Sequence, residues 1–128
     1  MPREMSLLVW AVGLTAVQLL IVVIGANLQV GTPTLVGNRE TAPHLTGWAC
    51  RAKRAHQNML ESLPLFAVLV LAAQATNRLD ATTLLGAQVF FWARVAYAVV
   101  YVAGITWVRS AIWGVGLLGL VLIFSRLV

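Results

Sequence analysis

The sequence has very little charge for its length. Of 128 residues, nine are Lys or Arg and four are Asp or Glu, while 60% are apolar. A water-soluble domain of this size needs many more polar side chains to cover its surface. The shortage of charge therefore excludes an ordinary soluble domain and predicts an all-α integral membrane protein, with lipid as its solvent.

Acidic residues are scarcer than basic ones, which leaves a formal net charge of +5 at pH 7. In a soluble protein, such an excess would indicate a nucleic-acid partner. Here the basic residues flank apolar runs, where the uneven distribution of Lys and Arg between membrane faces and attraction to anionic lipids account for them. We therefore expect membrane lipids as partners and no nucleic acid.

Cysteine is almost absent, since Cys50 is the single thiol of the chain. One thiol excludes an intramolecular disulfide. No cluster of His and Cys has the spacing of metal ligands, so the sequence predicts no metal site.

Four apolar stretches are each long enough to cross a bilayer, which takes roughly 20 helical residues. Gly and Pro concentrate in residues 27–47, which predicts one substantial loop. Asp80 and Ser110 are suited to cap the helices that follow them. The sequence thus predicts one domain, residues 1–128, folded as a four-transmembrane-helix bundle with helices at about 5–26, 48–75, 81–107 and 111–128.

Small residues recur in the last apolar stretch. Gly114, Gly116 and Gly119 lie within a few residues of one another. Glycines let helix backbones approach closely in membranes, so we expect these three to lie at a helix contact.

The distribution of Lys and Arg predicts the orientation of the bundle. Four crossings place both termini and the turn near Arg78 on one side, and the long loop on the other. The basic residues on the loop side are Arg39, Arg51, Lys53, Arg54 and Arg109, against Arg3, Arg78 and Arg126 on the opposite side. This excess predicts a cytoplasmic loop.

The second helix carries a polar stripe at its start. At about 100° per residue, its four members fall within a sector of about 80°. They are Arg51, Arg54, Asn58 and Glu61. His56 and Lys53 point elsewhere, so we interpret them as interfacial groups.

The third helix carries a matching stripe. Arg94, Tyr97 and Tyr101 share one face, and Glu61 and Arg94 lie at nearly equal distances along the chain from the turn near Arg78. An unpaired charge at that depth is costly, so we predict that Glu61 and Arg94 form an ion pair. The pair alone could serve only to hold two helices together, but that would not explain the rest of the stripe.

Hydrogen-bond donors and cations outnumber acceptors in these stripes. This composition suits a small anionic ligand with carboxylates, for which Glu61 would bind an amine. Arg51 and Arg109 lie nearer the rim, where they either bind the same ligand or contact lipid headgroups.

These residues resemble the MAPEG family, the membrane-associated proteins in eicosanoid and glutathione metabolism. Residues 54–61 read R-A-H-Q-N-M-L-E and are similar to the family's R-A-H-x-N-x-x-E signature. Residues 91–97 read F-W-A-R-V-A-Y, are followed by Tyr101, and resemble its third helix. The likeness is to a bacterial-type member similar to microsomal glutathione transferases and prostaglandin E synthase, and it implies a bacterial inner membrane.

The resemblance implies a homotrimer that binds glutathione as co-substrate and transfers its thiolate to a lipophilic electrophile, or acts on a lipid peroxide. By motif position, the glutathione contacts would be Arg54, Asn58, Glu61, Arg94, Tyr97 and Tyr101, with Arg51 added from the stripe. Arg109-Ser110 resembles an Arg-Ser pair after the third helix, which makes Arg109 the catalytic candidate. Many relatives have an arginine near the end of the first helix, where this chain has Asn27 and Gln29.

Two alternatives remain at this point. One is a relative that binds lipid or glutathione without catalysis. The other is a small four-helix multidrug exporter, in which one membrane glutamate exchanges protons for cations. An exporter needs an isolated carboxylate, whereas arginines outnumber Glu61 on its own stripe.

Overall fold

A computed structural model describes residues 1–31 and 45–128, and it contains four long helices. These are α1 (Arg3–Val30), α2 (Gly47–Ala75), α3 (Ala81–Ala103) and α4 (Thr106–Ser125). Each is long and apolar enough to cross a membrane. The predicted four-helix architecture is thus confirmed, while Arg39 and most of the predicted loop lie outside the described residues.

The boundary between α3 and α4 differs from the prediction, which carried the third helix to residue 107. Gly104 has φ 84° and donates its N–H to the Tyr101 carbonyl, while the Ile105 N–H bonds the Val100 carbonyl. This pair of bonds is the Schellman motif, and glycine adopts its left-handed residue without strain. The helix therefore ends at Ala103.

The early end of α3 lets α4 begin at Thr106, so the predicted N-cap at Ser110 is wrong. Ser110 lies in the second turn of α4, one residue after Arg109. At the other end of the chain α1 is longer than predicted, since it includes Arg3 and continues through Asn27 to Val30.

Helices α3 and α4 form an antiparallel hairpin with a very close contact. A Cβ atom built on Gly119 would lie 2.6 Å from the Gly86 carbonyl oxygen and 2.7 Å from the Phe90 nitrogen. The prediction of close packing is right for Gly119. It is wrong for Gly114, since a Cβ built there would meet nothing within 4 Å. Gly116 does lie at the contact with α3, but at an ordinary distance, because a Cβ built on it would lie 3.5 Å from the Ala93 Cβ.

The remaining helices pack around this hairpin. Helix α1 packs against α2 and α3, and α2 packs against α3 and α4. Their shared core is apolar and includes a stacked pair, Phe66 and Phe90, with ring centroids 4.4 Å apart. Large apolar side chains also cover the outside, among them Trp10, Leu20 and Val68. An apolar exterior around an apolar core is the arrangement expected in lipid.

Polar side chains join the helix ends at the membrane face that carries the termini. The Asp80 carboxylate accepts from the Thr83 N–H at 2.9 Å, and the Thr83 hydroxyl accepts from the Asp80 N–H at 2.7 Å. This is a capping box, so the predicted N-cap at Asp80 is confirmed. Arg126, just after α4, donates to the same carboxylate at 2.7 Å. The hydrogen bond from Thr83 and the contact with Arg126 together lower the pKa of Asp80.

Candidate functional site

The Arg94 guanidinium is buried in the bundle and only partly satisfied. The residue is 3% exposed, and its Nε and Nη2 atoms have no hydrogen-bond partner among the residues that the structure describes. Its carbon Cζ lies 4.3 Å from the centroid of the Tyr97 ring, one turn further along α3. The ring face supplies a cation–π contact but no hydrogen bond. Buried donors of this kind require an acceptor, so Arg94 is a candidate ligand contact.

The predicted ion pair between Glu61 and Arg94 is wrong. In the part of the chain that the structure describes, the one ion pair joins Arg126 and Asp80. Glu61 is exposed and makes no ion pair with another described residue, whereas the Arg94 head is held over the Tyr97 ring. Matching distances along two helices fixes the height of the side chains but not their rotation about the helix axes.

A cavity lies where that ion pair was predicted. It has a volume of about 170 Å³, and both Glu61 and Arg94 line it. Asn58, one turn before Glu61, also lines it, and its buried Oδ1 atom has no hydrogen-bond partner within residues 1–31 and 45–128. Glu61, Asn58 and Arg94 thus line one space, as the two stripes predicted. We call this space the lower cavity.

A second cavity adjoins the first, nearer the loop side of the membrane. Its volume is about 210 Å³, and we call it the upper cavity. It is lined by Asn58, Tyr97, Arg109, Ser110 and Trp113. Asn58 and Trp113 line both cavities, so the two spaces adjoin. Each is smaller than the roughly 300 Å³ at the lower end of small-molecule sites, whereas joined they come within that range.

Guanidinium groups and phenol rings alternate along one side of the site. The Tyr97 and Tyr101 rings have centroids 5.5 Å apart, and the Arg109 Cζ lies 4.5 Å from the Tyr101 centroid. With Arg94 over Tyr97, each ring carries one cation. Ring stacking restrains the long arginine side chains, which leaves their N–H groups oriented for an anion.

The beginning of α4 adds to the positive character of the upper cavity. Arg109 lies in the first turn of this helix, and no side chain in the described part of the chain caps its N-terminus at Ile105. The free N–H groups and the helix dipole there favour an anion. Trp113, which sequence reasoning missed, follows Arg109 by four residues on the same face. Had the start of α4 been predicted correctly, the spacing of four residues would have placed Trp113 on the same helix face as Arg109.

Three further predicted residues lie at the edge of the site. Arg51 donates from Nε to the Val102 carbonyl at 2.9 Å, so it satisfies one of the free carbonyls at the end of α3. Arg54 is exposed and lines neither cavity. Tyr101 is half-buried and contributes through its contact with Arg109. The structure thus places Asn58, Glu61, Arg94, Tyr97 and Arg109 around the two cavities and leaves the other three outside them.

The sequence of the chain was compared with models of known protein families. The model of the MAPEG family matches residues 7–128, nearly the whole chain. The chain belongs to the MAPEG family. No curated protein and no solved structure matches it.

Membership of the MAPEG family confirms the resemblance carried by the motifs of α2 and α3. The match also extends over α4 and most of α1, which the motifs did not cover. As a MAPEG member with four apolar spanning helices, the protein is an integral membrane protein. The family includes glutathione transferases and related membrane proteins, which gives the polar cavities a candidate ligand.

Proposed function

We propose that the protein is a glutathione-dependent membrane transferase or peroxidase that acts on lipophilic electrophiles. The observation that carries this proposal is the buried Arg94, which lines a cavity together with Asn58 and Glu61 and has two guanidinium nitrogens without a hydrogen-bond partner among the described residues. Glutathione has two carboxylates, one ammonium group and one thiol. The MAPEG assignment supports this ligand over other small anions.

The chemistry of the two cavities suggests how glutathione binds. In the lower cavity, Arg94 would bind a carboxylate and Glu61 the ammonium group, while Asn58 would accept a hydrogen bond through its free Oδ1. In the upper cavity, Arg109 would face the thiol. Arg54 and Arg51 would attract the anion towards the rim rather than contact it in the cavity.

Arg109 would activate the thiol by electrostatics. A thiol becomes a strong nucleophile when it loses its proton, and a nearby guanidinium favours the thiolate without itself releasing a proton. The thiolate sulfur then attacks the electrophilic carbon, the carbon–sulfur bond forms, and the leaving group departs with the bonding electrons. With a hydroperoxide, the sulfur attacks the outer oxygen and the O–O bond breaks. The alkoxide takes a proton to become the alcohol, and a second glutathione converts the sulfenic acid to a disulfide and water.

Assembly and orientation belong to the same proposal. We propose that three copies form a homotrimer and that a neighbouring copy covers the side of α2 on which Arg54 and Glu61 are exposed. Only 22% of the apolar window of α2 is buried inside the single chain. We further propose a bacterial inner membrane with the long loop cytoplasmic, on the basis of the Lys and Arg distribution.

Glutathione binding is tested by calorimetric titration into the detergent-purified protein. Asn58→Leu and Arg94→Met remove the free acceptor and the free donors, and each should weaken binding by roughly tenfold or more, because each leaves a ligand group unpaired. Arg3→Ala is the matched control, since Arg3 is exposed at the opposite end of the bundle. No heat of binding with the unmodified protein would refute the proposal.

Turnover separates an enzyme from a non-catalytic binder. We expect the purified protein to conjugate glutathione to 1-chloro-2,4-dinitrobenzene with release of chloride, or to reduce cumene hydroperoxide. Binding of glutathione without either reaction would favour the alternative of a non-catalytic glutathione- or lipid-binding member. The family assignment gives no support to the drug exporter, and Glu61 shares its cavity with Arg94 instead of standing alone.

A further inference from the structure

Arg51 joins the second helix to the end of the third. The side chain is half-buried, and its Nε donates to the Val102 carbonyl at 2.9 Å. It also lies against the turn that follows, because a Cβ built on Gly104 would be 3.5 Å from the Arg51 Nε and 3.6 Å from its Cζ. Within residues 1–31 and 45–128, this is the one hydrogen bond that joins α2 to α3 or α4.

The end of α3 depends on this bond for one of its carbonyls. A helix leaves its last four carbonyls without partners inside the helix. The Schellman motif satisfies the carbonyls of Val100 and Tyr101, whereas that of Val102 accepts from Arg51. Helix α3 has no basic residue in its own last turn that could take this role, so α2 supplies it.

Val102 is the neighbour of the residue that holds Arg109 in place. The Tyr101 ring centroid lies 4.5 Å from the Arg109 Cζ, and Arg109 lines the upper cavity. A bond that fixes the Val102 carbonyl also restrains Tyr101, because consecutive residues share a planar peptide unit. Arg51 is thus connected to the Arg109 guanidinium through a short stretch of backbone and one aromatic ring.

The same bond holds the walls of the upper cavity together. Asn58 on α2 forms one wall, and Tyr97 on α3 and Arg109 on α4 form the others. Arg51 lies two turns before Asn58, about 10 Å nearer the loop side. The bond to α3 therefore fixes α2 against the other two helices at the rim of this cavity.

We infer that Arg51 is a positioning residue, whose hydrogen bond to the Val102 carbonyl fixes Tyr101 and so holds the Arg109 guanidinium at the upper cavity. The catalytic consequence rests on the role proposed above for Arg109, whereas the geometric consequence does not. Anchoring to lipid headgroups does not account for the bond, because an anchoring arginine extends from the bundle towards the membrane surface.

Two variants of Arg51 separate the hydrogen bond from the charge. The side-chain nitrogen of glutamine is as many bonds from Cα as the arginine Nε, so Arg51→Gln keeps a donor at that position and removes the charge. Arg51→Met places a methyl carbon there and removes both. Any contribution of the charge to anion attraction is therefore lost equally in the two variants. Lys53→Met, which removes a neighbouring cation of α2, is the further control.

The position of Arg109 is followed by NMR of ¹³C-arginine-labelled protein in lipid nanodiscs, without glutathione. The Cδ–H signals missing from Arg109→Ala identify it among the eight arginines, and the other signals report folding. Stacking on a ring shifts such signals upfield, and Tyr101→Leu gives their unstacked position. Arg51→Met should move them towards that position, whereas Arg51→Gln and Lys53→Met should not. Unmoved signals in Arg51→Met, or displaced signals in Arg51→Gln, would overturn the inference.

Absorbance of the bound thiolate gives the catalytic readout. The pKa of the bound thiol should be higher in Arg51→Met than in Arg51→Gln by about half a unit or more, and kcat for conjugation roughly tenfold lower, at equal glutathione affinity. An equal thiol pKa in the two variants would leave Arg51 a purely structural or ligand contact and would overturn the inference. If the unmodified protein binds no glutathione, the proposed function fails, while the NMR comparison still decides whether Arg51 positions Arg109.

Discussion

The Arg94 guanidinium lies 4.3 Å from the centroid of the Tyr97 ring, and this contact takes the place of the ion pair that the sequence predicted. The pairing leaves the cation buried yet still able to bind an anion, because a ring face occupies none of its N–H groups. A carboxylate partner would have neutralised it. The proposed glutathione site would use this cation to bind a carboxylate.

Double-mutant cycles distinguish the two contacts of Arg94. We expect Arg94→Met and Tyr97→Leu to show a coupling free energy of about 1 kcal/mol or more in thermal unfolding, because the cation–π contact exists only when both groups are present. Tyr97→Phe keeps the ring and should retain the coupling. Arg94→Met with Glu61→Gln is the comparison cycle and should give nearly zero. A larger coupling to Glu61 than to Tyr97 would restore the ion pair.

The close contact of α3 and α4 predicts a large effect of one methyl group. Gly119→Ala should lower the free energy of unfolding by about 2 kcal/mol or more, because the new Cβ would overlap the Gly86 carbonyl and the helices must separate. Gly114→Ala is the matched control in the same helix. Its Cβ meets nothing within 4 Å, so it should be neutral or stabilise by up to about 1 kcal/mol. Similar melting temperatures for the two variants in detergent would contradict the observed contact.

The sequence predicted correctly those features that depend on a local pattern of residues within one helix or at its end. The apolar runs predicted all four spans, the start of α2 was placed within one residue, and Asp80 was recognised as a cap. It failed where two helices had to be compared. The contact of Gly86 with Gly119 depends on the helix crossing, and the orientation of Glu61 depends on rotation about the α2 axis. Neither the crossing of two helices nor the rotation of a helix about its axis can be predicted from the spacing of residues along one helix.

The wrong prediction for the end of α3 could have been avoided from the sequence. Gly104 follows Ala103 in an otherwise apolar run, and a glycine at such a position is the commonest helix stop. Had it been interpreted in this way, α4 would have begun near Thr106. Arg109 and Trp113 would then have been placed on one face of the same helix. The residues that line the upper cavity were therefore accessible from the sequence, as were the polar residues of the lower cavity, whereas the absence of an ion pair between Glu61 and Arg94 was not.

The cap at the start of α3 predicts a loss of stability in acid. The folded pKa of Asp80 lies below its ordinary value, chiefly because its carboxylate accepts from the Thr83 N–H. A lowered folded pKa means that the contribution is complete above the unfolded pKa of about 3.9 and is lost as the pH falls through the folded value. Melting temperatures should therefore fall from about pH 5 to about pH 2.

Asp80→Asn provides the control for this acid effect. The amide oxygen still accepts from Thr83 but does not titrate, so the variant should be less stable at neutral pH, where the Arg126 contact is lost. The stability difference from the unmodified protein should shrink as the pH falls. The chain has only four acidic residues, which makes this difference easy to resolve. A difference that is constant with pH would show that the carboxylate charge contributes nothing to the cap.

The role proposed for Arg109 predicts separate effects on binding and on rate. Arg109→Ala should lower kcat/KM for conjugation by roughly 100-fold, because one positive contact to the developing thiolate is lost. The pKa of the bound thiol should rise by about one unit or more, so the rate would recover partly at higher pH. Ultraviolet absorbance of the thiolate follows this shift directly. Calorimetry should show a much smaller change in glutathione affinity, since Arg94, Glu61 and Asn58 remain.

Arg109→Lys tests whether the charge or the ring contact matters. Lysine keeps the cation but loses the planar stacking on Tyr101, so it should recover part of the thiolate absorbance and part of the rate. If Arg109→Ala left the pH dependence of the rate unchanged while weakening glutathione binding, the residue would be a binding contact only. The thiolate would then depend on the dipole of α4, whose N-terminus has no side-chain cap among the described residues.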